Sequence, residues 1–253
     1  MKVAVLVKQT PQVSEVTVGN GGPQWSEAAL IVNPFDEYAV EEALRIKERT
    51  GGAAIAICFG SASAESALRD VMALGIDGAY LIDSENSSNL DPQTAAKALA
   101  SGISKIGGID LVLTGKQATD DDSSMVPAAV AQYLDWPQIG FVKKIDKTEN
   151  GKIIAWRTTD SGYDIVESPT PVICSVVKEI NEPRLPSLKG KMKAKKAEIV
   201  KMKIADLGIS IESAIRIKSI EAPKPRPAGE ILSGEPDEAI GKLIEKLKSD
   251  QLI

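Results

Sequence analysis

Short apolar runs alternate with longer amphipathic stretches through the first half of the chain. The apolar runs predict buried strands at residues 2–7, 53–59, 79–82 and 111–114. The stretches between them predict helices that begin at Asn33, Ser63, Asp91 and Val126. Strands that alternate with helices form a parallel sheet with right-handed crossovers and helices on both faces. We therefore predict a doubly wound, mostly parallel α/β fold of the Rossmann-like, adenine-nucleotide-binding type, with strand order 3-2-1-4-5.

The pattern changes after Trp136. Residues 141–176 predict antiparallel strands, with a turn signal at Asn150-Gly151. Residues 181–196 are polar and basic, and residues 221–229 contain three prolines, which is typical of an extended linker. Residues 238–247 predict an amphipathic helix. Because no compact core is visible after residue 181, this extension is expected to dock on a partner.

The composition argues against several classes of protein. A net charge of −5 is unfavourable for a general nucleic-acid binder, which needs a basic surface. The chain has no histidine, the commonest general base and metal ligand, so we expect neither catalytic residues nor a metal. Cys58 and Cys174 lie in apolar runs and are predicted to be buried free thiols. A strand begins at Lys2 and no apolar run reaches the ~20 residues of a membrane helix, so we expect a cytoplasmic protein without a leader peptide.

A ligand site is predicted where the strand order reverses, outside the carboxyl ends of the first and fourth strands. The flanking loops are 8–10 and 115–124, the second of which reads GKQATDDDSS and leads into a helix. Unpaired N–H groups at a helix N-terminus favour an anion such as phosphate. Asp120, Asp121 and Asp122 are expected to cap this helix, face solvent or bind ribose hydroxyls. Neither GxxxxGK[ST] nor GxGxxG is present, which argues against an ordinary phosphoryl-transfer enzyme.

Five segments in order resemble the beta (small) subunit of an electron-transferring flavoprotein. They read VKQT, VNPFDEYAVEEALRIKE, GKQATDDDSS, LDWPQ and NEPRLPSLKGKMKAKK. The resemblance implies an obligate heterodimer whose alpha subunit holds most of the FAD, while this chain buries a structural AMP. It also implies electron transport in fatty acid oxidation, from acyl-CoA or similar flavin dehydrogenases to an acceptor such as a quinone reductase. The chain is then an electron carrier subunit rather than an enzyme.

The resemblance also implies particular site residues. The cofactor-binding set is Leu6, Asn33, Pro34, Phe35, Asp36, Phe59, Asp120, Asp121, Asp122, Ser123, Ser124, Met125, Val126, Pro127, Ala128, Ala129, Val130 and Ala131. Phe35 matches an aromatic residue that the family places against the flavin of the alpha subunit. Met125 and Pro127 depart from the family pattern, because neither offers the hydrogen-bond donors of glutamine or of a backbone N–H.

Partner docking is implied for residues 184–200, which match the family's recognition loop. Leu188 takes the place of the leucine that anchors in dehydrogenases, and Lys189, Lys191 and Lys193 surround it. The predicted division is an α/β nucleotide-binding domain at 1–183, this recognition loop, and an extension at 201–253 that docks on the alpha subunit.

Two alternatives stay open. The first is a bifurcating flavoprotein beta subunit with a second FAD in this chain. The second is a stand-alone adenine-nucleotide-binding sensor, since a fold does not by itself assign a function.

Overall fold

The computed structural model describes residues 1–19, 22–84, 91–210, 212–213, 215, 217–221 and 228–253. The chain forms two compact units, Met1–Ile220 and Glu221–Ile253. Residues 222–227 of the predicted linker lie outside the described residues. Within the part of the chain that the structure describes, no helix has both the length and the apolar character that crossing a membrane requires.

The strands and helices follow in chain order. The strands are β1 (Lys2–Leu6), β2 (Gln9–Pro11), β3 (Thr17–Gly19), β4 (Gly22–Gln24), β5 (Leu30–Val32), β6 (Ala53–Gly60), β7 (Gly78–Asp83), β8 (Leu111–Gly115), β9 (Gln138–Glu149), β10 (Lys152–Thr159), β11 (Gly162–Pro169), β12 (Val172–Val176) and β13 (Ile199–Lys203). The helices are α1 (Pro34–Thr50), α2 (Glu65–Leu74), α3 (Pro92–Ile106), α4 (Val126–Leu134), α5 (Leu188–Lys196) and α6 (Pro236–Ser249).

A nine-stranded sheet organises the first unit, in the order β11-β10-β9-β12-β8-β1-β6-β7-β13. Its centre, β7-β6-β1-β8-β12, is parallel and confirms the predicted order 3-2-1-4-5. Successive residues of a strand point to opposite faces, and a parallel sheet is covered on both faces. Accordingly Val3 and Val5 of β1 lie in one core with residues of α1 and α2, and Ala4 and Leu6 lie in a second core with residues of α3 and α4.

The region predicted as antiparallel is antiparallel only in part. Strands β9, β10 and β11 form an antiparallel meander, and Asn150 and Gly151 take positive φ angles at its first turn. The prediction is wrong for β12, which pairs parallel with both β8 and β9. All five residues of β12 are buried, as expected of a strand inside a two-sided sheet.

The absence of a core after residue 181 is also a wrong prediction for part of this segment. Helix α5 packs against α2, and β13 extends the sheet by pairing parallel with β7. Ile199, Met202 and Ile204 are buried there. The signal in the sequence was weak because β13 lies at the edge of the sheet and buries only two of its five residues. In the second unit, α6 has no buried residue.

Candidate functional site

A cavity of about 550 Å3 opens at the carboxyl ends of the central strands. Its walls include Leu6 of β1, Phe59 of β6 and Thr114 of β8, together with the N-terminal residues of α3 and α4. Strands β1 and β8 are neighbours from which the chain winds in opposite directions. The cavity therefore lies at the switch point, where α/β proteins bind ligands.

Asp36 forms the floor of the cavity. Its Oδ2 accepts a hydrogen bond from the backbone N–H of Lys8 at 2.8 Å, and its Oδ1 accepts one from the N–H of Gly115 at 3.1 Å. One carboxylate thus joins the end of β1 to the end of β8. A Cβ atom at Gly115 would lie 2.6 Å from Asp36 Oδ1, so the close approach requires glycine. Burial raises the pKa of Asp36 to about 7.

Asn33 has a different role from the one its sequence position indicates. An asparagine just before a helix is typical of an N-cap, but the Asn33 side chain makes no capping hydrogen bond. Its Nδ2 instead donates to the carbonyl oxygen of Gln117 at 2.9 Å, and its Oδ1 accepts from the N–H of Thr119 at 3.2 Å. Asn33 is almost fully buried and attaches the 115–124 loop to the start of α1.

The three aspartates of this loop do not cap α4, whose first turn contains no acidic residue. Asp120 and Asp121 both pair with Lys8, whose Nζ lies 2.7 Å from Asp120 Oδ1 and 3.3 Å from Asp121 Oδ2. The carboxylate of Asp122 accepts a hydrogen bond from the side-chain amide of Gln117. Of the three roles that the sequence allows for these aspartates, helix capping is therefore wrong. Lys8 partly neutralises the negative charge of the loop.

The cavity brings together most of the predicted cofactor-binding residues. Those that line it are Leu6, Asn33, Asp36, Phe59, Asp120, Asp121, Ser123, Ser124, Met125, Val126 and Pro127. The remaining predicted residues are not part of its lining: Pro34, Phe35, Asp122, Ala128, Ala129, Val130 and Ala131. Val130 and Ala131 are buried in the core between α4 and the sheet. Phe35 is half-buried, with Lys116 Nζ 5.5 Å from its ring centroid.

Several lining residues were absent from the predicted set. Lys8 and Gln9 follow β1, Ser61 and Ser63 follow β6, and Trp25 comes from the segment between β4 and β5. The Gln9 side chain donates to Ser66 Oγ at 2.7 Å and thus ties the β1 loop to α2. The switch-point argument already placed the loop 8–10, with Lys8 and Gln9, beside the site, although the family resemblance did not imply these two residues. The same argument extends to Ser61, which directly follows the central strand β6. Trp25 carries no comparable signal, because it lies on an irregular excursion.

The predicted docking residues lie on a short helix rather than in a loop. Leu188, Lys189, Lys191 and Lys193 belong to α5, and Leu188 is 77% exposed. Ser187 caps this helix by accepting from the N–H of Gly190 at 3.0 Å. Gly190 packs so closely on α2 that a Cβ atom there would lie 2.2 Å from the carbonyl oxygen of Ala73.

Two arginines fasten α5 to the domain. Arg184 precedes the helix and contacts Glu41 Oε2 at 2.7 Å and Glu48 Oε1 at 2.6 Å, both on α1. Arg69 of α2 donates to the carbonyl oxygen of Ala194, near the end of α5, at 2.9 Å. The exposed Leu188 is therefore displayed from a braced helix.

Comparison with known proteins agrees with this architecture. Residues 26–207 match the electron transfer flavoprotein domain. The chain is 37% identical to the electron transfer flavoprotein subunit beta of Thermoanaerobacterium thermosaccharolyticum over 100% of both chains. The chain belongs to the electron transfer flavoprotein family, as a beta subunit.

Further relatives show the same relationship. A probable electron transfer flavoprotein subunit beta of Saccharomyces cerevisiae is 38% identical over 92% of this chain and 88% of its own length. The caffeyl-CoA reductase-Etf complex subunit CarD of Acetobacterium woodii is 34% identical over 100% of both chains. As a beta subunit of this flavoprotein family, the chain is an electron carrier subunit, and its type implies an alpha subunit as partner and a flavin in the complex.

The raised pKa of Asp36 gives a testable pH dependence. Its pKa is about 7 in the folded chain against 3.8 in the unfolded chain, so the unfolded state ionises first as the pH rises. Between these values the wild type should lose roughly 1.4 kcal/mol of unfolding free energy per pH unit relative to Asp36→Asn, which cannot ionise. Denaturant unfolding of both proteins from about pH 4 to about pH 8 measures this difference. A difference that stays constant with pH would contradict the assignment.

Proposed function

We propose that this beta subunit binds a structural AMP in the cavity between β1 and β8 and helps to enclose the FAD of the alpha subunit. The heterodimer takes electrons from acyl-CoA or related flavin dehydrogenases and passes them to an acceptor such as a quinone reductase. The observation that carries the proposal is the cavity itself, which lies at the switch point and contains most of the residues implied by the family resemblance.

The residues of the cavity fit an adenine nucleotide. Its volume of about 550 Å3 lies within the range of small-molecule sites. Leu6, Phe59 and Leu99 offer apolar surface for a base. The α4 N-terminus offers backbone N–H groups and a favourable dipole for a phosphate, and the hydroxyls of Ser123 and Ser124 lie beside it.

The departures from the family pattern leave phosphate binding to a few groups. Pro127 has no N–H and Met125 no side-chain donor, although both line the cavity. Asp122 and Ser124 adopt φ angles of 54° and 53°, so the loop turns sharply just before α4. We assign phosphate binding to the N–H of Val126 and to the hydroxyls of Ser123 and Ser124.

Nucleotide extraction tests the proposed cofactor content. The purified heterodimer should release one FAD and one AMP per complex on acid extraction followed by chromatography. The expected AMP follows from the volume of the cavity between β1 and β8 and from the family resemblance. Two flavins per complex without AMP would instead support the bifurcating alternative, and a stable monomer with nucleotide but no flavin would support the sensor.

Docking on the alpha subunit is proposed for the second unit of the chain. Ile240, Leu243 and Ile244 of α6 are exposed, and their spacing places them on one face of the helix. An exposed apolar helix face is typical of a protein interface. The alpha subunit is the partner that the beta-subunit type implies.

Docking of dehydrogenases is proposed for the braced helix α5. Leu185 and Leu188 are 91% and 77% exposed, and Lys189, Lys191 and Lys193 lie on the same helix as Leu188. An apolar anchor within a charged rim is the usual arrangement of a binding hot spot, and the rim charges steer association with acidic partners. The name of the Acetobacterium woodii relative places that protein in a complex with a caffeyl-CoA reductase, which supports a CoA-thioester flavoenzyme as the partner here.

Replacement of the anchor should weaken docking selectively. Leu188→Ala should cost ~2 kcal/mol of binding, a roughly thirtyfold loss of affinity for the dehydrogenase, because truncation removes the buried contact. Steady-state reduction across dehydrogenase concentrations measures the apparent affinity. FAD content, AMP content and heterodimer stability should stay at the wild-type level.

Val13→Ala provides a matched control, since Val13 is 66% exposed and lies outside this segment. It should leave the apparent affinity unchanged. An unchanged affinity in Leu188→Ala would show that the anchor lies elsewhere.

A further inference from the structure

We propose that Lys8 and the acidic pair Asp120 and Asp121 make the cavity selective for adenine ligands with no more than one phosphate. This inference rests on the proposed AMP site and adds the residues that determine its specificity. Lys8 partly neutralises Asp120 and Asp121, so that the neutral groups at the start of α4 can hold one phosphate, while the remaining negative charge opposes a second or third phosphate.

The charges that line the cavity are unbalanced. Among the described residues of its lining, Lys8 is the one cation, whereas three carboxylates belong to Asp36, Asp120 and Asp121. Lys8 Nζ lies 2.7 Å from Asp120 and 3.3 Å from Asp121, so its charge is shared between them. Asp120 and Asp121 therefore outnumber Lys8 whatever the charge of Asp36, and the described lining residues offer a polyphosphate no further cation.

Because Lys8 is paired with Asp120 and Asp121, the groups available to bind a phosphate directly carry no full charge. Ser123 and Ser124 contribute hydroxyls, and the N-terminus of α4 contributes a partial positive charge with one N–H fewer because of Pro127. Lys116, the one basic residue within the 115–124 loop, lies over the Phe35 ring and is not part of the described lining. One phosphate can be accommodated by these groups, but each additional phosphate adds negative charge beside Asp120 and Asp121 without compensation.

The position of Lys8 is fixed independently of its ammonium group. Its backbone N–H donates to Asp36 Oδ2 at 2.8 Å, and this bond does not involve the Lys8 side chain. A substitution of the side chain therefore changes the charge of the cavity while keeping the junction of β1 and β8. This separation permits an electrostatic role to be distinguished from a structural one.

Calorimetric titration of the nucleotide-free heterodimer with adenosine, AMP, ADP and ATP, at low ionic strength and without Mg2+, tests the inference. In the wild type the affinity should fall from AMP to ADP to ATP, by roughly tenfold or more per step, because like charges are brought together. Lys8→Met should weaken AMP by roughly tenfold or more and leave adenosine unchanged, while Lys8→Arg should retain AMP binding. Asp120→Asn should strengthen ADP and ATP more than AMP.

Three results would overturn the inference. Equal affinities for AMP, ADP and ATP in the wild type would show that the cavity does not select by charge. Equal weakening of adenosine and AMP in Lys8→Met would assign Lys8 a structural role only. If the wild type bound neither adenosine nor AMP, the proposed AMP site itself would fail, whereas the first two results leave that site standing.

Discussion

Two hydrogen bonds from backbone N–H groups to the buried carboxylate of Asp36 hold the ends of β1 and β8 together. These strands are far apart in sequence, and their junction is where the winding of the chain reverses. Loss of the carboxyl group would leave the buried N–H of Gly115 and the partly buried N–H of Lys8 unpaired, and an unsatisfied buried donor costs about 1–3 kcal/mol. The floor of the cavity, the start of α1 and the close approach at Gly115 all depend on this contact.

Helix α1 connects the cavity to the segment that displays Leu188. Its N-terminal side positions Asp36, and Asn33 just before it holds the 115–124 loop. Farther along, Glu41 and Glu48 bind Arg184 and so fix the segment that displays Leu188. The 17 residues of α1 span roughly 25 Å as a single helix. One helix therefore positions both the cavity proposed for a nucleotide and the helix proposed to dock dehydrogenases.

Periodicity in the sequence was sufficient for the central sheet, because strands buried on both faces read as continuous apolar runs and their helices begin at recognisable residues such as Asp91. The same order located the cavity, since the switch point follows from the topology. Contacts between distant residues were beyond this reasoning: Lys8 meets Asp120 only in the folded chain. The sequence of β12 does not indicate whether the strand runs parallel or antiparallel to its neighbours. Strand β13 lies at the edge of the sheet and contains two exposed lysines, so its apolar pattern is weak.

The assignment of the cavity to a nucleotide is tested most directly by a crystal structure of the heterodimer with the ligands that copurify with it. We expect electron density for an adenine nucleotide with one phosphate above Asp36, with its phosphate at the N-terminus of α4 and a single FAD bound elsewhere in the complex. A cavity filled only by solvent, or occupied by a second FAD, would contradict the function proposed for this chain.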